Sequence, residues 1–242
     1  MKLLLLLLSG AKFGKILLTG GTMLISVAAY SLLFGWWYAA GFVALIFIHE
    51  MGHFIAARRR GLNVGAPTFI PFVGAWIQLK DMPHDAETEA YVGLAGPFVG
   101  TLGALACYYL GRQLDNSLLL ALSYAGFFLN LFNLIPLSPF DGGRVTAAIS
   151  PKLWLIGAPI LIGLFLYRPN PLLLIFAIVA APQVMKAWRG PQSEAERAYY
   201  NVSLETRTTY SIFYVGLVVF LAVMCHDLHE ELPVAHFGAG GL

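Results

Sequence analysis

His49-Glu50-Met51-Gly52-His53 is the segment of this chain whose residue types and spacing can do chemistry. Two histidines four apart lie one turn apart on one helical face, so both imidazoles can reach a single metal ion. The glutamate beside them can take a proton from a water at that ion. Zinc is the metal this H-E-x-x-H pattern holds in hydrolases. Phe42-Val43-Ala44-Leu45-Ile46-Phe47-Ile48 run directly into the motif. Three ionisable groups at the end of such an apolar run are costly unless paired or functional.

Hydrolytic zinc takes three protein ligands and leaves one position open. Asp141 is the best third donor. It follows Asn133-Leu134-Ile135-Pro136-Leu137-Ser138-Pro139-Phe140 and precedes Gly142-Gly143, so prolines break a helix and glycines release the backbone around a carboxylate. It stands at the end of an apolar run, on the same side and at a similar depth as the two histidines. Asp81, His84, Asp85, Glu87 and Glu89 are rivals, but they belong to a polar stretch that suits solvated charge. Glu194, Glu196 and Glu205, farther along the chain, are the alternative third donors. Asn133 is a candidate donor to an oxyanion, and Arg144 with Gly142-Gly143 a candidate lining of a water opening.

The elements that must position these groups belong to a membrane protein. The 242 residues are 58% hydrophobic and 12% charged, with a mean hydropathy of +0.72, where soluble domains carry about 25% charge. From Ile16 to Ala57 there is no Lys, Arg or Asp and a single Glu, which predicts two spanning helices turned near Gly35-Trp36-Trp37-Tyr38. The run Leu3 to Leu8 imitates a signal peptide but is too short to span, and predicts a retained interfacial segment. Arg58-Arg59-Arg60 ends the second span. The polar stretch at about 61–90 then predicts a small β-hairpin or sheet lying on the membrane surface.

A third span, Tyr91 to Leu110, is rich in small residues and reads as a central helix. A fourth runs from Ser117 to Leu137. The runs at 153–167 and 171–185 predict either two tilted spans or one re-entrant hairpin, and a last span covers Tyr210 to Cys225. His226-Asp227-Leu228-His229-Glu230-Glu231 reads as a solvated tail. The expectation is an all-α polytopic membrane protein of about six or seven transmembrane helices with a small cytosolic-face β-hairpin or sheet. It forms one integral-membrane domain over 1–242, with a core at about 42–144, the β-like insert at 61–90 and additional helices at 152–226.

With the N-terminus in the cytosol, only Arg112 and Arg168 of the 15 Lys and Arg residues fall on the far side, as the positive-inside rule asks. The bases are spread singly, so nucleic acid is no partner. Cys107 and Cys225 follow no metal spacing and read as packing residues.

H-E-M-G-H at 49–53 on one membrane helix, with N-x-x-P-x-x-P-x-D-G-G at 133–143 on a later one, resembles the site-2 protease family of intramembrane zinc metalloproteases, peptidase family M50. Gly93-Leu94-Ala95-Gly96-Pro97 and Phe69-Ile70-Pro71-Phe72-Val73-Gly74 are similar to that family's core as well. The resemblance implies that His49, His53 and Asp141 bind one zinc per chain and that Glu50 activates water. It implies cleavage of peptide bonds in or near transmembrane segments of proteins or signal-peptide remnants, in the lipid bilayer of the plasma membrane with the opening toward the cytosol. No segment is long and polar enough for the PDZ or CBS domain some members carry. The rival class is a non-proteolytic zinc-binding membrane protein, a transporter or a chaperone. A transporter would repeat polar groups along a path through the bilayer, whereas the far halves of these spans are apolar.

Overall fold

The computed structural model describes residues 2–72, 74–79, 81 and 83–232. Gly35, at φ 79, breaks the N-terminal apolar run into α1, Lys2–Phe34, and α2, Trp36–Arg59. Glycine takes that left-handed backbone without a Cβ penalty. The leucine run near the start is continuous with α1 and forms no separate segment.

After α2 come β1, Val64–Ile70, and β2, Gly74–Leu79, then α3, Ala86–Gln113, and α4, Ser117–Asn133. Asp85 and Asn116 cap α3 and α4 by accepting from the backbone N–H of Thr88 and Leu119. A loop carrying Pro136 and Pro139 leads to α5, Asp141–Ile149. A short turn, Pro151–Leu153, precedes α6, Trp154–Tyr167; α7, Pro171–Arg189, α8, Glu194–Tyr199, and α9, Leu204–Glu231, complete the order.

Among the described residues five helices, α1, α2, α3, α7 and α9, are long and apolar enough to cross a membrane, and α4 and α6 are apolar but shorter. The chain is therefore an all-α, multi-pass integral membrane protein with a small antiparallel hairpin.

Three details depart from the sequence reading. First, α4 stops at Asn133, and Asp141 does not end that run but opens a separate, almost wholly buried helix. Second, α9 continues through His226 to Glu231, where Arg112 pairs with Glu231 and the ring of His229 stacks on Tyr124 at 6.0 Å. Third, the hairpin packs along α1, a contact the sequence reading did not foresee. Thr19 donates to the Pro67 carbonyl (2.7 Å), and the N–H groups of Phe69 and Phe72 donate to the hydroxyls of Thr22 (3.2 Å) and Tyr30 (3.1 Å). Those three side chains cover about 16 Å of helix axis. Residues 153–185 form two helices packed as a hairpin around Arg168-Pro169-Asn170.

Helix α3 is central, packed against α2, α4 and α5. Its small residues make this possible. A Cβ on Gly52 of α2 would overlap the Ala95 carbonyl, so the two backbones approach as closely as glycine allows.

Candidate metal centre

Helix α2 presents His49, Glu50 and His53 inward, with 4%, 7% and 8% of their surfaces exposed. The i, i+4 spacing stacks the two imidazoles edge to face, 4.8 Å between centroids. Asp141, at the first turn of α5, comes in from the opposite wall. The Nε2 atoms of His49 and His53 lie 3.1 Å apart, and Asp141 Oδ2 lies 3.2 Å from the first and 3.1 Å from the second.

The outer nitrogens decide what this triangle means. His53 Nδ1 is 2.7 Å from the Val92 carbonyl, which only accepts, so Nδ1 carries the proton. His49 Nδ1 is 2.8 Å from Oδ1 of Asn130, whose Nδ2 donates to the Gly126 carbonyl at 2.7 Å, and that pairing orients the amide. In the neutral tautomers both Nε2 atoms then turn lone pairs toward each other and toward a carboxylate oxygen. Three electron-rich atoms converging in a buried site are an arrangement that a cation between them satisfies. Their spacing fits one, because donors about 2.0–2.1 Å from a tetrahedral zinc stand roughly 3.3 Å apart. Among the described residues, His49, His53 and Asp141 are the group whose ligand atoms come together in this way.

The other oxygen of Asp141 faces outward. Arg144 Nη1 is 3.8 Å from Oδ1, Arg144 Nε is 4.0 Å from Glu89, and the Tyr199 hydroxyl donates to Glu89 at 2.5 Å. Burial, and then the Glu89 carboxylate, push the Tyr199 phenol well above its ordinary range, so it stays a donor at any ordinary pH. These contacts tie Asp141 to α3 and α8.

A cleft of about 660 Å3 opens on the group, lined among others by Glu50, Glu89, Asn133, Arg144, Phe140 and Phe176, with Gly74 and Ala75 of β2 at its edge. Asn133 lies in this wall, and its Nδ2 donates to the Leu129 carbonyl at 3.0 Å. Several of the rival donors are engaged elsewhere. Asp81 accepts from Asn63, Asp85 caps α3, Glu87 pairs with Arg60, and Glu196 pairs with Lys186. Glu194 and Glu205 lie in the first turns of α8 and α9.

Asn130 is the residue sequence reading passes over. It is 1% exposed, and its only signal is a lone amide within an apolar helix, three positions before Asn133. The glycines of α3 gain a second meaning as well. A Cβ on Gly96 would overlap the His53 ring, and one on Gly100 would overlap the Asn130 amide, so the stripe makes room for the site as much as for helix packing.

A multi-pass helical fold that buries two histidines and a carboxylate beside a glutamate has a donor set that could hold a metal ion. Residues 37–117, from α2 through α3, match peptidase family M50. The chain is 31% identical over 116 residues to a zinc metalloprotease of Methanocaldococcus jannaschii, an alignment covering 46% of this chain and 33% of the relative. A chloroplast protein of Arabidopsis thaliana named as a zinc metalloprotease is 24% identical over 246 residues, 81% of this chain and 44% of its own length. Rip3 of Mycobacterium tuberculosis, also named as a zinc metalloprotease, is 30% identical over 135 residues, 51% of this chain and 34% of its own. The chain thus spans less than half the length of these relatives.

Proposed function

We propose that this chain is an intramembrane zinc metalloprotease that cuts peptide bonds in or near the transmembrane segments of other proteins or of signal-peptide remnants. The observation that carries the reading is the convergence of His49 Nε2, His53 Nε2 and Asp141 Oδ2, each 3.1–3.2 Å from the others, beside Glu50 on an open cleft. His49, His53 and Asp141 would hold one zinc per chain. Bound zinc lowers the pKa of water from 15.7 to about 7 and polarises a carbonyl. Glu50 takes the proton of the attacking water and returns it to the leaving amine. The N–H of Asn133 that is not bonded to Leu129 donates to the oxyanion. Asn130 and the Val92 carbonyl hold both imidazoles in the ligating tautomer.

A substrate helix hides its peptide bonds in internal hydrogen bonds, so it must unwind before attack. The β2 edge at Gly74 and Ala75, which faces the cleft, offers the unwound strand backbone partners. Trp76→Pro would then slow cleavage without loss of zinc, and unaltered cleavage would remove the hairpin from the mechanism. The N-terminus and cleft face the cytosol in this reading, because all 15 Lys and Arg residues except Arg112 and Arg168 then fall inside.

The deciding experiment measures zinc by elemental analysis, and cleavage of a model transmembrane peptide, in the wild type and Glu50→Gln. One zinc per chain in both, with cleavage by the wild type alone, is the expected result; no zinc in either refutes the reading.

A further inference from the structure

A second cavity, of about 310 Å3, lies behind α5, away from the cleft. Its volume is at the lower end of the range that holds a small ligand. Its walls come from the turn after α5, the end of α7, α8 and the start of α9, and they bring together Lys152, Lys186, Arg197 and Arg207.

The charge balance of these four is lopsided. Lys186 has a partner in Glu196 at 3.0 Å. Arg207 is half-buried and spends three N–H groups on the carbonyls of Val202, Ile149 and Tyr200, which orient the guanidinium without neutralising it. Among the described residues Lys152, Arg197 and Arg207 form no ion pair with a carboxylate. Lys152 and Arg197 are exposed and Arg207 is half-buried, so the cavity presents three cations without a carboxylate partner among the described residues, a setting that favours an anion. The remaining wall is apolar and aromatic, with Pro151, Trp154, Pro191 and Tyr200.

The cavity also stands at the membrane boundary. Helix α7 is apolar for most of its length and ends in Lys186, an 81% exposed Trp188 and Arg189, the order expected where a span meets the head groups. Arg207, near the start of α9, lines the cavity before that helix turns apolar.

We infer that this cavity is a binding site for a negatively charged phosphate group at the membrane surface, supplied by an anionic phospholipid head group or by a soluble phosphate. The site is wired to the metal centre's scaffold. Trp154, one of its walls, donates its indole N–H to the Gly143 carbonyl at 2.9 Å, and Arg207 holds the Ile149 carbonyl at the end of α5 at 2.8 Å. An occupant therefore braces the helix that begins with Asp141.

The test uses the whole chain in a neutral detergent. Native mass spectrometry counts retained phosphatidylglycerol against phosphatidylcholine added in equal amounts, and thermal unfolding records the response to inorganic phosphate. Preferential retention of one phosphatidylglycerol, weakened about fivefold in each of Lys152→Gln and Arg197→Gln, is the expected result for a lipid ligand. Stabilisation by millimolar phosphate, lost in the same variants, also supports the site and makes the ligand soluble. Arg197→Lys keeps the charge and keeps binding in either case. Equal retention of the two lipids without a phosphate response overturns the proposal, as does binding that both Gln variants leave unchanged. If a Gln variant fails to fold, the wild-type lipid preference and its loss in high salt decide the matter alone.

Discussion

Gly96 of α3 faces His53 of α2 so closely that a Cβ at position 96 would overlap the imidazole at Nε2, Cε1 and Cδ2. The same ring is held from behind by the Val92 carbonyl. His53 therefore has no direction in which to yield, and a helix-packing glycine becomes a determinant of the metal site.

Gly96→Ala should accordingly weaken metal binding by about tenfold or more, since overpacking a tight site costs on the order of 1–3 kcal/mol. Zinc content after dialysis against a graded chelator measures this. Undiminished zinc would mean that the two helices can separate to admit a methyl group.

Asn130 fixes the tautomer of His49, so removing its acceptor should lower zinc affinity about 10–100-fold. Asn130→Leu is expected to show that loss, while Asn130→Asp, which keeps an oxygen at the same place, retains zinc. Competition with a chromophoric chelator distinguishes the two, and equal affinity in both variants would assign Asn130 to packing alone.

Asp141→Asn should abolish stoichiometric zinc, whereas Glu194→Gln, Glu196→Gln and Glu205→Gln should not, because Glu196 is committed to Lys186 and the ring nitrogens face Asp141. Elemental analysis of the four purified variants suffices. Zinc loss in one of the glutamine variants, with Asp141→Asn still loaded, would move the third ligand to a later helix.

Tyr199 offers a pH test outside the spans. Its phenol is raised above the ordinary value of 10.0 in the folded chain. An unfolded chain then releases the proton first as pH rises, so the contribution to stability is complete below about pH 10 and is lost above it. Thermal unfolding of the wild type should fall more steeply than that of Tyr199→Phe through this alkaline range. Parallel pH profiles would show that the Glu89 contact has no energetic weight.

Much of this protein is determined by local sequence. H-E-x-x-H places two imidazoles on one helical face because the spacing matches the helical repeat, and no neighbour is needed for that. The apolar runs dictate spanning helices because unsatisfied backbone cannot cross a bilayer. Gly35 and the Pro136 to Pro139 loop mark breaks for reasons written in their own backbones. The tertiary structure alone decided how those helices turn toward each other. The contacts that orient His49 and His53, to Asn130 and Val92, join residues 81 and 39 positions apart, and the His53–Asp141 approach joins residues 88 apart. Helical periodicity says which side chains share a face, not which face meets a neighbour. For that reason Asn130 beneath His49, the hairpin packed against α1, and the service of Gly96 and Gly100 to the site appear only once the chain is packed.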